Sequence, residues 1–194
     1  MIAFQDAIDE FVASGYLDKA IAKCEAELKA LPVSPFHRII GCDLENMTPD
    51  TISWLESFYD QVAKNEFKPK AIYCETNGFD MNTDRWFVDA FAFRRYKKTE
   101  DWDWLSDWDS ETEIDSLTIQ GYESMQNAFA QRSFSNRDDK TQNAAKIAEL
   151  LVILRVQELF RNAHQAIYKK GLELGRIPLL VTAHDWDLIF ISRP

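Results

Sequence analysis

The strongest constraint on the fold is the stretch from Lys140 to Gly175, the longest helical pattern in the chain. It contains no proline, and no glycine before Gly171. Apolar side chains recur along it at helical spacing, and others widen the apolar stripe almost around the helix. The widened stripe consists of Ile147, Leu150, Leu151, Val152, Ile153, Leu154, Val156, Leu159, Phe160, Ala163 and Ile167. Charged residues interrupt it before it reaches the roughly 20 apolar residues of a membrane span. We therefore predict a core helix, covered on several sides by the rest of the chain.

The N-terminal third is predicted to be mainly helical. Amphipathic spacing indicates helices over Ala3–Ala13 and Asp18–Leu31. Thr48 and the proline after it are typical of a helix start, with the hydroxyl as cap, and this third helix extends to about Lys64. Between the second and third helices, the segment Phe36–Leu44 is a candidate short strand.

The pattern then changes to the period of two that is typical of strands. Lys70–Thr76 and Arg85–Tyr96 are rich in aromatic and β-branched residues, and the loop Asn77–Asp84 between them favours an antiparallel hairpin. Both faces of the second strand are apolar, so it is expected inside the sheet. Ile177–Ala183 and Leu188–Ser192 alternate in the same way around a tight turn and predict a second hairpin.

These elements predict an α+β fold, in which an antiparallel sheet built from hairpins packs against the long central helix and further N-terminal helices. Leu117–Phe129 shows helical spacing, and Arg132–Lys140 is polar enough to be a flexible connection. A chain of 194 residues fits one domain. The predicted single domain spans residues 1–194, with a helical part at about 3–65, strands at about 70–96 and 177–192, and the long helix at about 140–173.

Cysteine usage and the N-terminus favour a cytoplasmic protein. Cys24, Cys42 and Cys74 make an odd number without the spacing of a metal site, so a disulfide framework is not expected. The segment MIAFQDAIDEF lacks the basic start and the apolar run of a secretion signal.

Most of the net charge comes from one segment. The chain carries a formal net charge of −10, and eight acids with no base lie between residues 100 and 115, here called the acidic segment. They are Glu100, Asp101, Asp103, Asp107, Asp109, Glu111, Glu113 and Asp115. Because phosphate binding needs clustered Lys and Arg, we expect no nucleic-acid partner, and membrane binding is disfavoured for the same reason.

The acidic segment also holds three of the six tryptophans in the chain, Trp102, Trp104 and Trp108. Indole rings provide large rigid contact areas, and surrounding carboxylates can steer and align a basic partner. This favours a protein-binding surface with seven candidate residues: Trp102, Asp103, Trp104, Asp107, Trp108, Asp109 and Glu111. The alternative is a short helix that packs Trp104, Leu105 and Trp108 into the core and leaves the acids solvated.

A small, acidic α+β protein with a tryptophan-bearing acidic surface resembles the bacterial immunity proteins. The resemblance is one of overall character and assigns no role to any particular residue. It implies a non-catalytic inhibitor whose partner is a basic protein, such as a toxin.

Two other groups of residues are candidates for a metal or catalytic site. Asp80, Asn82 and Asp84 have the spacing that begins a calcium loop, but Arg85 and Phe91 stand where glycine and glutamate are required, so a hairpin loop is expected. With no metal-ligand spacing and no glycine-rich phosphate loop, neither a metal nor a cofactor is expected.

The second group is at the final turn, where His184, Asp185 and Asp187 could join Glu75 or Asp89 from neighbouring strands. That set would make a hydrolase-type enzyme the alternative function. Asp is also common in tight turns for purely structural reasons. His164 is expected on the polar side of the long helix and His37 in a connection, so neither is a candidate general base.

Overall fold

The sheet and the long helix are the two layers around which the protein is built. The computed structural model describes residues 2–79, 82–98, 101–112, 114–132 and 139–193. Its α-helices are α1 (Ile2–Ala13), α2 (Leu17–Ala30), α3 (Thr48–Asn65), α4 (Glu123–Arg132) and α5 (Asp139–Lys169). Its strands are β1 (Ala71–Thr76), β2 (Phe87–Phe93), β3 (Ser110–Glu111), β4 (Leu117–Thr118), β5 (Leu179–Ala183) and β6 (Phe190–Ser192). The predicted α+β class is confirmed.

The two hairpins predicted from the sequence form and meet edge to edge. The strand order is β3-β2-β1-β5-β6, and β4 pairs with another part of β2. Strands β1 and β2 pair antiparallel, as do β5 and β6. The contact between the hairpins is parallel, with Thr76 opposite Ala183. A parallel pair needs a long crossover connection, and the chain between β1 and β5 includes α5. The sheet is therefore mostly, not wholly, antiparallel.

Helix α5 packs against one face of this sheet and is covered from the other side by α2 and α3. Leu151 and Leu154 are fully buried in a core that extends from Ile8 in α1 to Phe190 in β6. The helix ends where Gly171 adopts a left-handed conformation with φ of +77°, which glycine tolerates best. None of the helices in the described ranges has both the length and the apolar character needed to cross a membrane.

Three predictions about where strands form or helices begin were wrong. The segment Phe36–Leu44 is not a strand, because Pro35–Ile39 forms a 3₁₀ turn that buries Phe36 and Ile39. The helix expected from Leu117 begins only at Glu123, because Leu117 and Thr118 pair with β2 instead. Tertiary pairing thus overrides a local helical pattern.

The third error concerns the start of α3. Thr48 does not cap the helix with its hydroxyl but is its first residue, and the hydroxyl oxygen has no hydrogen-bond partner among the described residues. The proline after it does lie in the first turn, as predicted.

His164 lies on a different side of α5 from the one expected. It is 1% exposed and is hydrogen-bonded through Nδ1 to Ser192 Oγ at 2.8 Å and through Nε2 to the Leu174 carbonyl at 3.3 Å. A carbonyl only accepts, so Nε2 donates, and the neutral tautomer leaves Nδ1 to accept from the serine hydroxyl. The face of α5 that carries His164 packs against Ser192 of β6 and against Leu174, so the imidazole joins the core rather than solvent.

Two predictions lie wholly or partly outside the described residues. The connection predicted at Arg132–Lys140 falls mostly on residues 133–138, which are not described, and the calcium-like loop includes residues 80 and 81.

Candidate functional site

The acidic segment lies across the outer face of the sheet, opposite α5. Its 3₁₀ turn, Asp103–Ser106, places Trp104 and Leu105 against an outer apolar cluster. The other buried members of that cluster are Ala71, Tyr73, Phe93 and Leu180. Side chains alternate between the two faces of a strand. The strand residues of this cluster therefore point outward, while neighbouring residues such as Ile72 and Cys74 point into the inner core.

The three tryptophans of the segment have three different environments. Trp104 is 5% exposed, and its ring centroid lies 4.7 Å from that of Phe93 in an edge-to-face contact. Trp102 is half-buried against the outer cluster. Trp108 is 44% exposed, with its ring 4.8 Å from that of Phe91. The alternative in which the segment packs its apolar side chains into the core therefore holds for Trp104 and Leu105, whereas Trp108 remains accessible.

The described carboxylates of the segment face solvent. Asp101, Asp103, Asp107, Asp109 and Glu111 are all exposed. Asp109 is held in place, because Oδ2 accepts the Arg94 backbone N–H at 2.7 Å and Oδ1 lies 3.4 Å from the Arg94 guanidinium. The segment is therefore anchored to β2 while most of its carboxylates are directed outward.

Two further contacts fix the segment from helix α3 and from the residue after it. The indole N–H of Trp54 donates to the Asp115 carbonyl at 2.9 Å. Ser110 donates its hydroxyl to the Glu66 carboxylate at 2.7 Å. Glu66 adds an exposed acid next to the segment, and sequence reasoning did not associate it with the site.

A second group of polar residues lies on the uncovered part of the same sheet face. Glu75 of β1 is directly opposite Asp89 of β2, and both line a cavity of about 250 Å³ together with His184. His184 joins them because β5 runs parallel to β1 and ends just before it. Asp187 is exposed and is not part of this lining, so only part of the predicted set converges.

Glu75 is the centre of this polar group. His184 Nδ1 lies 2.9 Å from Glu75 Oε1, and the Tyr73 hydroxyl donates to Glu75 Oε2. The hydrogen bond to Glu75 raises the pKa of His184, and burial raises that of Tyr73. Asp89 accepts a hydrogen bond from Ser116 at 2.6 Å. The arrangement can hold and transfer a proton, but its carboxylates are already engaged with protein donors.

The described residues contain no group of three His, Cys, Asp or Glu side chains that could hold a metal ion. The calcium-like loop contributes Asn82 to the lining of the 250 Å³ cavity.

Comparison of the chain with protein-family models, with curated proteins and with solved structures finds no match.

Proposed function

We propose that this protein is a non-catalytic binding module that uses the acidic segment to dock a basic partner protein. The observation that carries the proposal is the exposure of its carboxylates around Trp108, an accessible indole seated on Phe91. A rigid aromatic anchor inside a charged rim is the arrangement typical of binding hot spots. Trp104 is omitted from the proposed surface, because a buried side chain reaches a partner only if the segment detaches.

The charge distribution supports a basic partner. The carboxylates of Asp103, Asp107 and Glu111 are exposed and act through their summed field, which extends about 8 Å at physiological salt. Such a field accelerates association with a positively charged surface more than it strengthens the final complex. Trp102 and Trp108 then supply contact area beside it.

The resemblance to immunity proteins suggests the biological class of the complex. In that class the partner is a toxin, which the immunity protein blocks. The proposal for this chain is accordingly an inhibitor of immunity type, with the acidic segment covering basic residues of its target.

Charge-matched variants test the proposal. The segment variant carries Asp103→Asn, Asp107→Asn, Asp109→Asn and Glu111→Gln. The control removes the same charge elsewhere through Asp6→Asn, Glu10→Gln, Asp60→Asn and Asp187→Asn, all at exposed positions. With a basic protein recovered on the parent chain, association with the segment variant should be slower and less salt-dependent, while the control behaves as the parent. Equal association rates of all three proteins at low salt would refute the proposal.

The cavity with His184 and Glu75 favours a second candidate, a hydrolase-type enzyme. The direct His184–Glu75 contact and the neighbouring Asp89 are the acid and base types that such chemistry uses. The cavity volume of about 250 Å³ is below the roughly 300 to 1,000 Å³ of most ligand sites, which weakens this candidate. His184→Ala should leave partner binding intact, and a hydrolytic activity lost in that variant would establish the enzyme instead.

A further inference from the structure

A groove at one end of the sheet concentrates positive charge in an otherwise acidic protein. Lys70, Lys98, Arg176 and Arg193 line it, together with the aromatic side chains Tyr96 and Trp102. We call it the basic groove. Its volume is about 940 Å³, within the range of ligand-binding sites. The lining residues that the structure describes include no carboxylate.

The sheet topology explains why cations from four distant parts of the sequence meet. The parallel strands β1 and β5 begin at the same end of the sheet, just after Lys70 and Arg176. Strands β2 and β6 are antiparallel to them and end there, so that Arg193 directly follows β6 and Lys98 lies in the segment after β2. No local motif marks such a site, which is why sequence reasoning missed it.

The four cations are available to a ligand. All four residues are exposed, and none of their side chains forms an ion pair with a described residue. Arg193 donates to the Tyr96 hydroxyl at 3.2 Å, which holds that ring at the groove. Like charges that lie together repel one another, and a bound anion converts this repulsion into attraction.

The aromatic and apolar surfaces define the kind of anion. Ile177 and Ile191 also line the groove, and Trp102 is only half-buried, so the groove offers apolar and aromatic surface beside its cations. Planar bases stack on such side chains, while Lys and Arg bind phosphate oxygens. The net charge of −10 repels a long polyanion outside the groove and favours a compact ligand.

We propose that the basic groove binds a nucleoside phosphate, with the phosphates on Lys70, Lys98, Arg176 and Arg193 and the base against Trp102. The site is built from side chains and needs no glycine-rich loop. It differs from the proposed docking surface for a basic protein, because Asp103, Asp107 and Trp108 do not line the groove, and the two surfaces share Trp102 at their border.

Calorimetric titration of the full chain with ATP, inorganic tripolyphosphate and a short polyglutamate peptide tests the proposal. ATP should bind about tenfold or more tightly than tripolyphosphate, because tripolyphosphate has no ring to stack. The double variant Lys70→Gln, Arg176→Gln should lose at least about tenfold in ATP affinity. The matched control Lys64→Gln, Lys169→Gln removes two exposed helix cations outside the groove and should bind as the parent does.

Trp102→Leu separates the two parts of the ligand. It should weaken ATP binding about tenfold and leave tripolyphosphate binding unchanged. The proposal would be overturned by equal affinities of the parent for ATP and tripolyphosphate, or by tighter binding of polyglutamate. Equal losses of ATP affinity in both double variants would also overturn it. Circular dichroism of each variant confirms that the fold is retained.

Discussion

His184, the residue after β5, meets Glu75 of the neighbouring parallel strand β1 with Nδ1 and Oε1 2.9 Å apart, although 109 positions separate them in the sequence. The contact exists because Ala183 is paired with Thr76, which brings the residue after β5 beside the end of β1. It is half open to solvent, since the His184 side chain is 55% exposed. Its contribution to stability is therefore that of a surface ion pair, below about 1 kcal/mol.

The first prediction is a pH dependence of this contact. The pKa of His184 is raised in the folded state, mainly by the hydrogen bond to Glu75. The stabilisation is thus fully present below the unfolded pKa of about 6.5 and is lost as pH rises through the higher folded pKa. Glu75→Gln should lower the His184 pKa in an NMR titration and cost more stability at about pH 5.5 than at about pH 8. Asp187→Asn is the control. An equal His184 pKa in the parent and in both variants would contradict the contact.

The second prediction concerns His164 and has the opposite sign. Burial lowers its pKa, so the unfolded state binds a proton at higher pH than the folded state does. The stability supplied by neutral His164 is present above about pH 6.5 and is lost as pH falls through the folded pKa. Urea unfolding of the parent from about pH 7 to 5 should show this loss. His164→Gln should reduce the slope of the free energy of unfolding against pH. An unchanged slope in the variant would mean that His164 is solvated.

The third prediction is selective thiol reactivity. Burial raises the pKa of Cys24 to about 12 and that of Cys74 well above its usual value, while Cys42 is exposed. A thiol reagent should therefore modify the native protein at Cys42 and reach the other two thiols only in denaturant. Mass spectrometry of the native Cys42→Ser variant should find no rapid modification. Rapid labelling of Cys24 would contradict its position in the core.

The sequence predicted the elements whose physical causes are local. The apolar stripe around Leu151 was sufficient to predict a buried helix, and alternation with turn residues was sufficient for both hairpins. The second strand was expected inside the sheet, and β2 pairs with β1 on one side and with β3 and β4 on the other. The parallel contact of β1 with β5 has no local signature, because it depends on how the crossover through α5 returns the chain.

The same distinction applies to the candidate sites. Sequence spacing identified the acidic segment but did not reveal that Trp104 faces the sheet while Trp108 faces solvent, since that depends on the register against β2. The basic groove was missed entirely, because its cations become neighbours only when the strand ends are brought together.

The last prediction separates the tryptophans of the acidic segment by stability. Trp104 is nearly fully buried against Phe93, so Trp104→Ala should lower the free energy of unfolding by about 3 to 5 kcal/mol. Trp108→Ala should cost only about 1 kcal/mol, mainly the contact with Phe91, because much of the ring is already in water. Urea unfolding followed by circular dichroism measures both losses.

Trp104→Phe is the matched control for this comparison. It keeps an aromatic ring in the outer cluster and removes an indole N–H that is buried without a hydrogen-bond partner among the described residues. It should therefore be less destabilising than Trp104→Ala, because it leaves a smaller cavity. If Trp108→Ala is as destabilising as Trp104→Ala, Trp108 belongs to the core, and the acidic segment loses the accessible anchor on which the docking proposal depends.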